Sequence, residues 1–542
     1  MKTLWDSFCS VVDNFNGNVA IVDGDTNITY AELDSLVREY AREISRYDDD
    51  IVGLIADQNY KSVIIILATI FTGKTIAPID PRLPDCEIES KLMSLTNKVI
   101  SENARLIDGI EQILIEDISK SKNKDDSNVS FGNERSAYIL HTSGSTGIPK
   151  PVLASAKSLK IVSEELAKRY YIDNTSKVIQ FAYLSFDSSF VEVWSTILAG
   201  GTLIIPGKLL REDLYGTLET VASKYNNLTI TLPPSVSSGL TNKTINSIST
   251  LILAGEELPI GLANFLFGKI EHLINAYGPT ESIICATTYE IRSIQQNRVP
   301  IGKPLSGMRI FIDKDGEMIL TSSYLAEGYF GIISEAFEKD KDGLRRYKTG
   351  DFANIDDEGN YIFLGRRDNQ IKIYGQRIEL EGVESIVRGV VSDSRFIVIY
   401  EQGLYGVTDR TFDVNEALSL ANSKLPKNIN LIKIFKLDSL PLDFNGKLDR
   451  KKIKEYVLKE LAAHNNNRYE TIIRIWLDAF RRDVEVDMET GFFELGGDSL
   501  IALRLVSLIN NHYGVNIRLS DIIKNNASPR IILDLLKKAG IK

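Results

Sequence analysis

The chain is 542 residues long, more than one hydrophobic core supports, and its length suits about three domains. Hydrophobic residues make up 43% and charged residues 25%, the balance of an ordinary soluble globular protein rather than a disordered or fibrous one. A formal net charge of −10 argues against a nucleic acid or an anionic membrane as partner, so an anionic ligand needs a local site.

Cys9, Cys86 and Cys285 are the three cysteines, widely separated and odd in number, which indicates neither a disulfide framework nor a zinc site. Only four histidines occur, none spaced as ligand pairs. The N-terminal stretch MKTLWDSFCSVVDNFNG has acids and polar residues where a signal peptide needs an unbroken apolar core. The longest apolar run, from Val63 to Phe71, is too short to span a bilayer. These features predict a cytoplasmic protein.

Up to about residue 115 the chain alternates strand-like runs, such as 20–22 and 51–55, with helical patterns such as 30–44. That alternation predicts an α/β domain. Thr29 suits the N-cap of the first of these helices, with Glu32 at capping-box spacing. Residues 119–130, SKSKNKDDSNVS, read as a polar surface loop. An apolar strand, Ala137 to Leu140, then runs into HTSGSTGIPK at 141–150. Its glycines let backbone N–H groups converge on an anion, its hydroxyls add donors, and Lys150 adds a point charge suited to phosphate. Pro149 before the lysine departs from the usual P-loop spacing. Read alone, the stretch supports a phosphate cradle and a flexible polar turn equally well.

Further on, FDSS at 186–189 places Asp187 among Phe186, Phe190, Val191 and Val193, where burial is costly without a partner. Asp187 reads either as a helix N-cap or as the counter-ion of a buried ammonium. In NAYGPTE, Tyr277 offers a flat face for adenine, Asn275 an amide for its edge, and Glu281 a hard oxygen for Mg²⁺. YKTGD occupies 347–351, and GRRDNQIKIYGQRIELEGVE, 365–384, contains a strand-turn pattern over 371–378. NGKLDR, 445–450, sets Lys447 on a glycine-flanked loop that can swing, although a single lysine equally suits a solvated surface. A helix over 453–461, a polar linker HNNN at 464–467 and a helix over 469–480 precede FFELGGDSL. There Ser499 follows a Gly-Gly turn and opens a helix with apolar positions Leu500, Leu503, Val506 and Ile509.

In this order, AYILHTSGSTGIPK, FDSS, NAYGPTE, YKTGD, the 365–384 stretch, NGKLDR and FFELGGDSL resemble the motifs of the adenylate-forming superfamily. The likeness is specifically to the amino-acid adenylation domains of nonribosomal peptide synthetases, followed by a peptidyl carrier. It implies a multidomain α/β fold: an N-terminal core at 1–367, a mobile α+β subdomain at 368–455, a linker at 456–467 and an all-α four-helix carrier at 468–542. It also implies an ATP site made of Thr142, Ser143, Gly144, Ser145, Thr146, Gly147 and Lys150 with Gly255, Asn275, Ala276, Tyr277, Thr280, Asp351, Phe363 and Arg366. Asp351 would chelate the ribose hydroxyls, Glu281 Mg²⁺, and Lys447 the carboxylate and the ribose-phosphate oxygens. Asp368 would be the hinge, Gly375 would face the thiol tunnel, and Ser499 would carry 4′-phosphopantetheine. Pro151 in place of a glycine, the shortened glycine-rich segment before YKTGD and the shorter stretch around Pro426 depart from the family form.

The resemblance further assigns Asp187, Ser188, Val191, Thr231, Ile252, Ala254, Ala276, Ile284 and Cys285 to the amino-acid pocket, with Lys447 closing the carboxylate end. Its walls are apolar or weakly polar, which excludes charged side chains, and the two alanines leave depth that a small amino acid does not fill. L-Phenylalanine ranks first, then other aromatic or bulky apolar acids, because Val191 widens the wall. A phosphopantetheinyl transferase and a downstream synthetase module or tailoring enzyme acting in trans are the expected partners. A carboxylate–CoA ligase and a non-catalytic carrier scaffold are the rival readings. Asp187 and the fused carrier oppose the first, and intact Lys150, Glu281, Asp351 and Lys447 oppose the second.

Overall fold

The computed structural model describes residues 2–538 apart from 105–106, 108, 119–128, 130, 133–134, 143–149, 208–209, 211–212, 367–369, 374–375, 392–395, 402, 410–412, 426–429, 438, 442–449, 465–467, 481–485, 496–498, 514–516, 518–520 and 523–525. Residues 1–144 with 148–377 form one compact unit, and residues from 378 onward form the body of a second.

Local chemistry starts the first unit as its sequence predicts. Thr29 caps the helix Tyr30–Ile44, its hydroxyl accepting from the Glu32 N–H while the Glu32 carboxylate accepts from the Thr29 N–H. The run Val63–Phe71 belongs to the helix Tyr60–Phe71, in which every residue from Ser62 to Phe71 is buried. A helix apolar all round is a core element, not a surface one.

Two large sheets organise this unit. One runs, in spatial order, Gly328–Tyr329, Lys150–Ser155, Ser136–Thr142, Thr75–Ile79, Ile51–Ile55, Lys98–Ser101 and Glu111–Leu114. The other places Lys177–Ile179 between Leu228–Leu232 and Thr202–Ile205, and continues through Ile248–Ala254 to His272–Tyr277 in parallel register. The largest core draws on both sheets: Val52, Leu54, Tyr138 and Leu140 from the first, Ile21, Val178, Ile252 and Ile274 from the second. Helices Leu4–Phe15, Ala156–Arg169 and Asp187–Ala199 contribute Phe8, Leu159 and Trp194 to the same core. On its other face the second sheet buries Ile230, Leu251 and Leu253 in a separate core. Strands buried on both faces are the condition for such long apolar runs. A smaller sheet, Arg309–Ile312, Glu317–Ser322, Arg345–Ile355, Phe337–Lys339 and Tyr361–Arg366, completes the unit.

The second unit opens with the helix Leu380–Val391 and a sheet of Ile397–Tyr400, Leu404–Thr408 and Leu431–Lys436, closed by the helix Arg450–His464. Three helices follow among the described residues, Arg468–Phe480, Ser499–Tyr513 and Pro529–Lys538, around a core of Trp476, Phe480, Phe492, Leu505, Ile509 and Ile532. Among the described side chains of Ser499–Tyr513 the fully buried ones are Ala502, Leu505 and Ile509, with Val506 at the margin, and Leu500 and Leu503 lie outside that description. No helix among the described residues is long and apolar enough to cross a membrane.

Candidate active site

The stretch HTSGSTGIPK joins two strands of the first sheet. Thr142 ends one, Lys150 begins the next, and the two residues are register partners. Residues 143–149, and with them Ser143, Gly144, Ser145, Thr146 and Gly147, lie outside the described residues. Thr142 is buried, and its hydroxyl donates to the Lys150 carbonyl at 3.4 Å. Lys150 Nζ lies 5.5 Å from the centre of the Tyr329 ring.

Asp187 is the first residue of the helix Asp187–Ala199; Phe186 holds the cap position, and no side chain caps the turn. The N-cap alternative for Asp187 is therefore not realised. One turn along, Phe190 packs its ring 4.4 Å from that of Tyr138. Burial, with Asp187 close by, pushes the Tyr138 phenol well above its ordinary range. Ser188 and Asp187 are half-buried, Val191 buried.

The parallel strands bring the other pocket candidates into rows. Thr231 is in register with Ile252, Ile252 with Ile274, and Ala254 with Ala276. Because side chains alternate across a strand, Ile252 and Ala254 share one face, as do Ile274 and Ala276. That face belongs to the core containing Phe190 and Val191, with Ala254 and Ile284 packed against it. Cys285 is buried, its thiol directed at the carbonyls of Thr287 and Tyr277 at 3.3 and 3.6 Å. Burial pushes that thiol up to about 12, so it stays protonated and acts as a small apolar group. Two consecutive β-branched residues, Ile283 and Ile284, adopt φ of +57° and +78°. Such residues rarely enter the left-handed region, and strain of this kind gathers at functional sites. The neighbouring Gly278 is required there: a Cβ on it would lie 2.5 Å from the Ile284 carbonyl oxygen.

At the end of His272–Tyr277, the Tyr277 hydroxyl donates to Asp351, and Arg366 donates to the other oxygen of the same carboxylate. Asp351 and Arg366 are register partners on adjacent strands, and Arg366 also donates to the Thr349 carbonyl at 3.0 Å. Phe363 sits 6.2 Å from Tyr277, ring centre to ring centre. Asn275 is buried, and its amide nitrogen donates to the Pro300 carbonyl at 2.8 Å. Gly255 turns with φ of +88° directly after Ala254. Thr280 opens the short 3₁₀ turn Thr280–Ser282, which carries Glu281. Glu281 is 1% exposed, and its Oε1 accepts from the Tyr329 hydroxyl at 2.7 Å.

Lys447, Asp368 and Gly375 lie outside the described residues. Arg450, three residues after Lys447, opens the helix Arg450–His464, and its guanidinium donates to the carboxylate of Glu384 and to the Val398 carbonyl. Glu384 also accepts from Arg388 and from the Val398 N–H. Sequence reasoning placed both Glu384 and Arg450 inside recognisable motifs without pairing them. Ser499 is the first residue of the helix Ser499–Tyr513.

The described part of the site thus holds a buried tyrosine–aspartate–arginine cluster and a carboxylate in the first turn of a helix that joins an apolar core. Residues 10–330 match the family of AMP-binding enzymes, and residues 470–536 match the phosphopantetheine attachment site. The chain belongs to the AMP-binding enzyme family and carries a phosphopantetheine attachment module after it.

Its relatives include tyrocidine synthase 1 of Brevibacillus parabrevis, 29% identical over 96% of this chain and 52% of that protein. Gramicidin S synthase 1 of Brevibacillus brevis is 31% identical over 96% of this chain and 51% of its own length. The chain thus spans about half the length of these curated relatives. Among solved structures, a nonribosomal peptide synthetase protein with adenylation and PCP domains, bound to a vinylsulfonamide inhibitor, shares the fold. Its TM-score is 0.75 at 21% identity, covering 99% of this chain and 97% of that one. An artificially fused adenylation–PCP didomain from Klebsiella oxytoca has a TM-score of 0.71 at 23% identity, covering 81% and 94%.

Proposed function

We propose that this protein activates an amino acid with ATP as the aminoacyl adenylate and passes the acyl group to a thiol carried by its own C-terminal module. The observation that carries this reading is Asp187 at the start of a helix whose next turn joins an apolar floor of Ile252, Ala254 and Ala276. A carboxylate in the first turn of a helix whose next residues join an apolar core suits an ammonium beside an apolar side chain. L-Phenylalanine ranks first, and related bulky or aromatic acids follow.

The substrate carboxylate displaces pyrophosphate at the α-phosphorus of ATP, a reaction that needs alignment and charge neutralisation more than an acid–base pair. In this reading Lys150 and the 142–147 donors hold the β- and γ-phosphates, and Tyr277, Asp351 and Arg366 hold the nucleoside. Lys447 stabilises charge shared between carboxylate and phosphate. Glu281 suits Mg²⁺, because that ion takes one or two carboxylates plus substrate phosphates rather than an all-protein cage. When bound, Mg²⁺ supplies charge neutralisation at the phosphate oxygens. Ser499, at its helix start, suits attachment of 4′-phosphopantetheine, which supplies the accepting thiol. Rotation about Asp368 separates the two half-reactions, and the 456–467 linker keeps the carrier at an effective concentration in the ~mM range. A phosphopantetheinyl transferase and a downstream module in trans complete the scheme, set in the cytoplasm.

ATP–pyrophosphate exchange across the amino acids tests the reading. Phenylalanine or another bulky apolar acid should exceed alanine, aspartate and lysine, and Asp187→Asn should lose the response to any amino acid. A clear preference for a small or charged amino acid overturns the pocket assignment.

A further inference from the structure

Tyr329, in the shortened glycine-rich segment before YKTGD, contacts both groups that handle phosphate and metal in the proposed reaction, and sequence reasoning gave it no role. The segment 327–330 is zipped along the strand that leaves Lys150. Gly328 and Tyr329 pair with Leu153 and Val152, the Glu327 N–H donates to Leu153 at 2.8 Å, and the Phe330 N–H donates to Pro151 at 2.7 Å. One residue earlier, the Ala326 N–H donates to the Glu281 carbonyl at 2.9 Å. The backbone of one short segment therefore binds both the Lys150 strand and the Glu281 turn.

The Tyr329 side chain repeats that link. It is 8% exposed, wedged edge-on against Phe337 at 5.4 Å, so its ring has little freedom. Its hydroxyl donates to Glu281 Oε1 at 2.7 Å, and Lys150 Nζ stands 5.5 Å from its ring centre. A hydrogen bond to an ionised carboxylate in a buried setting fixes the carboxylate's rotamer. A cation within about 6 Å of an aromatic face is held by the ring quadrupole.

We propose that Tyr329 is a positioning residue that couples the phosphate-holding lysine to the metal-holding carboxylate, its hydroxyl setting Glu281 and its ring setting Lys150. The inference rests on the reading of Lys150 and Glu281 given above. Its two halves are separable: Tyr329→Phe removes the hydroxyl and keeps the ring, whereas Tyr329→Leu removes both.

ATP binding to the full chain, measured by calorimetry without amino acid across a Mg²⁺ titration, reads both halves without turnover. Tyr329→Phe should raise the Mg²⁺ concentration for half-maximal enhancement by about tenfold, the loss of one hydrogen bond to a charged group. Its Mg²⁺-free ATP affinity should stay within about twofold of wild type, while Tyr329→Leu should weaken that affinity as well. Glu281→Gln should abolish the Mg²⁺ response, and adding Tyr329→Phe to it should change nothing further. A wild-type Mg²⁺ response in Tyr329→Phe, with Glu281→Gln unresponsive, overturns the coupling alone. A normal response in Glu281→Gln overturns the metal assignment and the coupling with it. Thermal melts of each variant identify a loss that comes from unfolding, and Tyr329→Phe keeps the buried volume that makes such a loss small.

Discussion

His141 immediately precedes Thr142, at the entrance of the proposed phosphate loop. Its Nδ1 is buried without a hydrogen-bond partner among the described residues. Burial and the nearby Lys91 push its imidazole down to about 3 from an ordinary value near 6.5. A neutral imidazole beside the proposed phosphate loop avoids a charge that would change with pH near neutrality. The same shift has a stability consequence. Below about pH 6.5 the unfolded chain takes up a proton at this position that the folded chain refuses until about pH 3. Stability should therefore fall as pH drops through that window, by up to about 1.4 kcal/mol per pH unit for this site. Denaturant midpoints of wild type and His141→Gln, followed from pH 7 to pH 4, should diverge with the wild type losing more. Parallel curves would refute it.

The helix that follows Lys447 in sequence is anchored at its first residue. Arg450 opens the helix Arg450–His464, and its guanidinium meets Glu384, a carboxylate 0% exposed on the helix Leu380–Val391. Burial pushes that carboxyl upward, while Arg450, Arg388 and the Val398 N–H favour its charged form. Removing one partner of a buried ion pair strands the other, at a cost of about 3–5 kcal/mol. Glu384→Ala should therefore lower the melting transition of the second unit and the exchange activity together. Lys447→Ala should lower exchange by about a hundredfold or more while leaving ATP binding and melting nearly unchanged. A Glu384→Ala protein that melts like wild type would remove Arg450 from its anchoring role.

At the scale of the whole molecule, the proposed reaction joins an activating site and an acceptor on one chain. Intact-mass measurement after treatment with a phosphopantetheinyl transferase and CoA should show one added arm on the wild type and none on Ser499→Ala. That variant should keep full pyrophosphate exchange, because the first half-reaction does not use the carrier. Asp368→Pro, which limits backbone rotation at the proposed hinge, should spare exchange and slow loading of the arm. An arm persisting in Ser499→Ala, or equal losses of both steps in Asp368→Pro, would break this division of labour.

Whatever depends on neighbours within one turn was legible along the chain. The Thr29–Glu32 capping box, the strands around 51–55 and 137–140, the helix opening at Ser499 and the order of the motifs all rest on local spacing. Only the fold decided the rest. Tyr329 meets Glu281 across 48 residues, Tyr277 meets Asp351 across 74 and Arg450 meets Glu384 across 66, pairings set by sheet order and helix docking. Likewise, Asp187 as a first-turn residue rather than a cap, and Ile283 and Ile284 in the left-handed region, are imposed by packing against Gly278 and the core. Local propensity acts over a few residues, whereas these contacts exist only after distant strands have found their register.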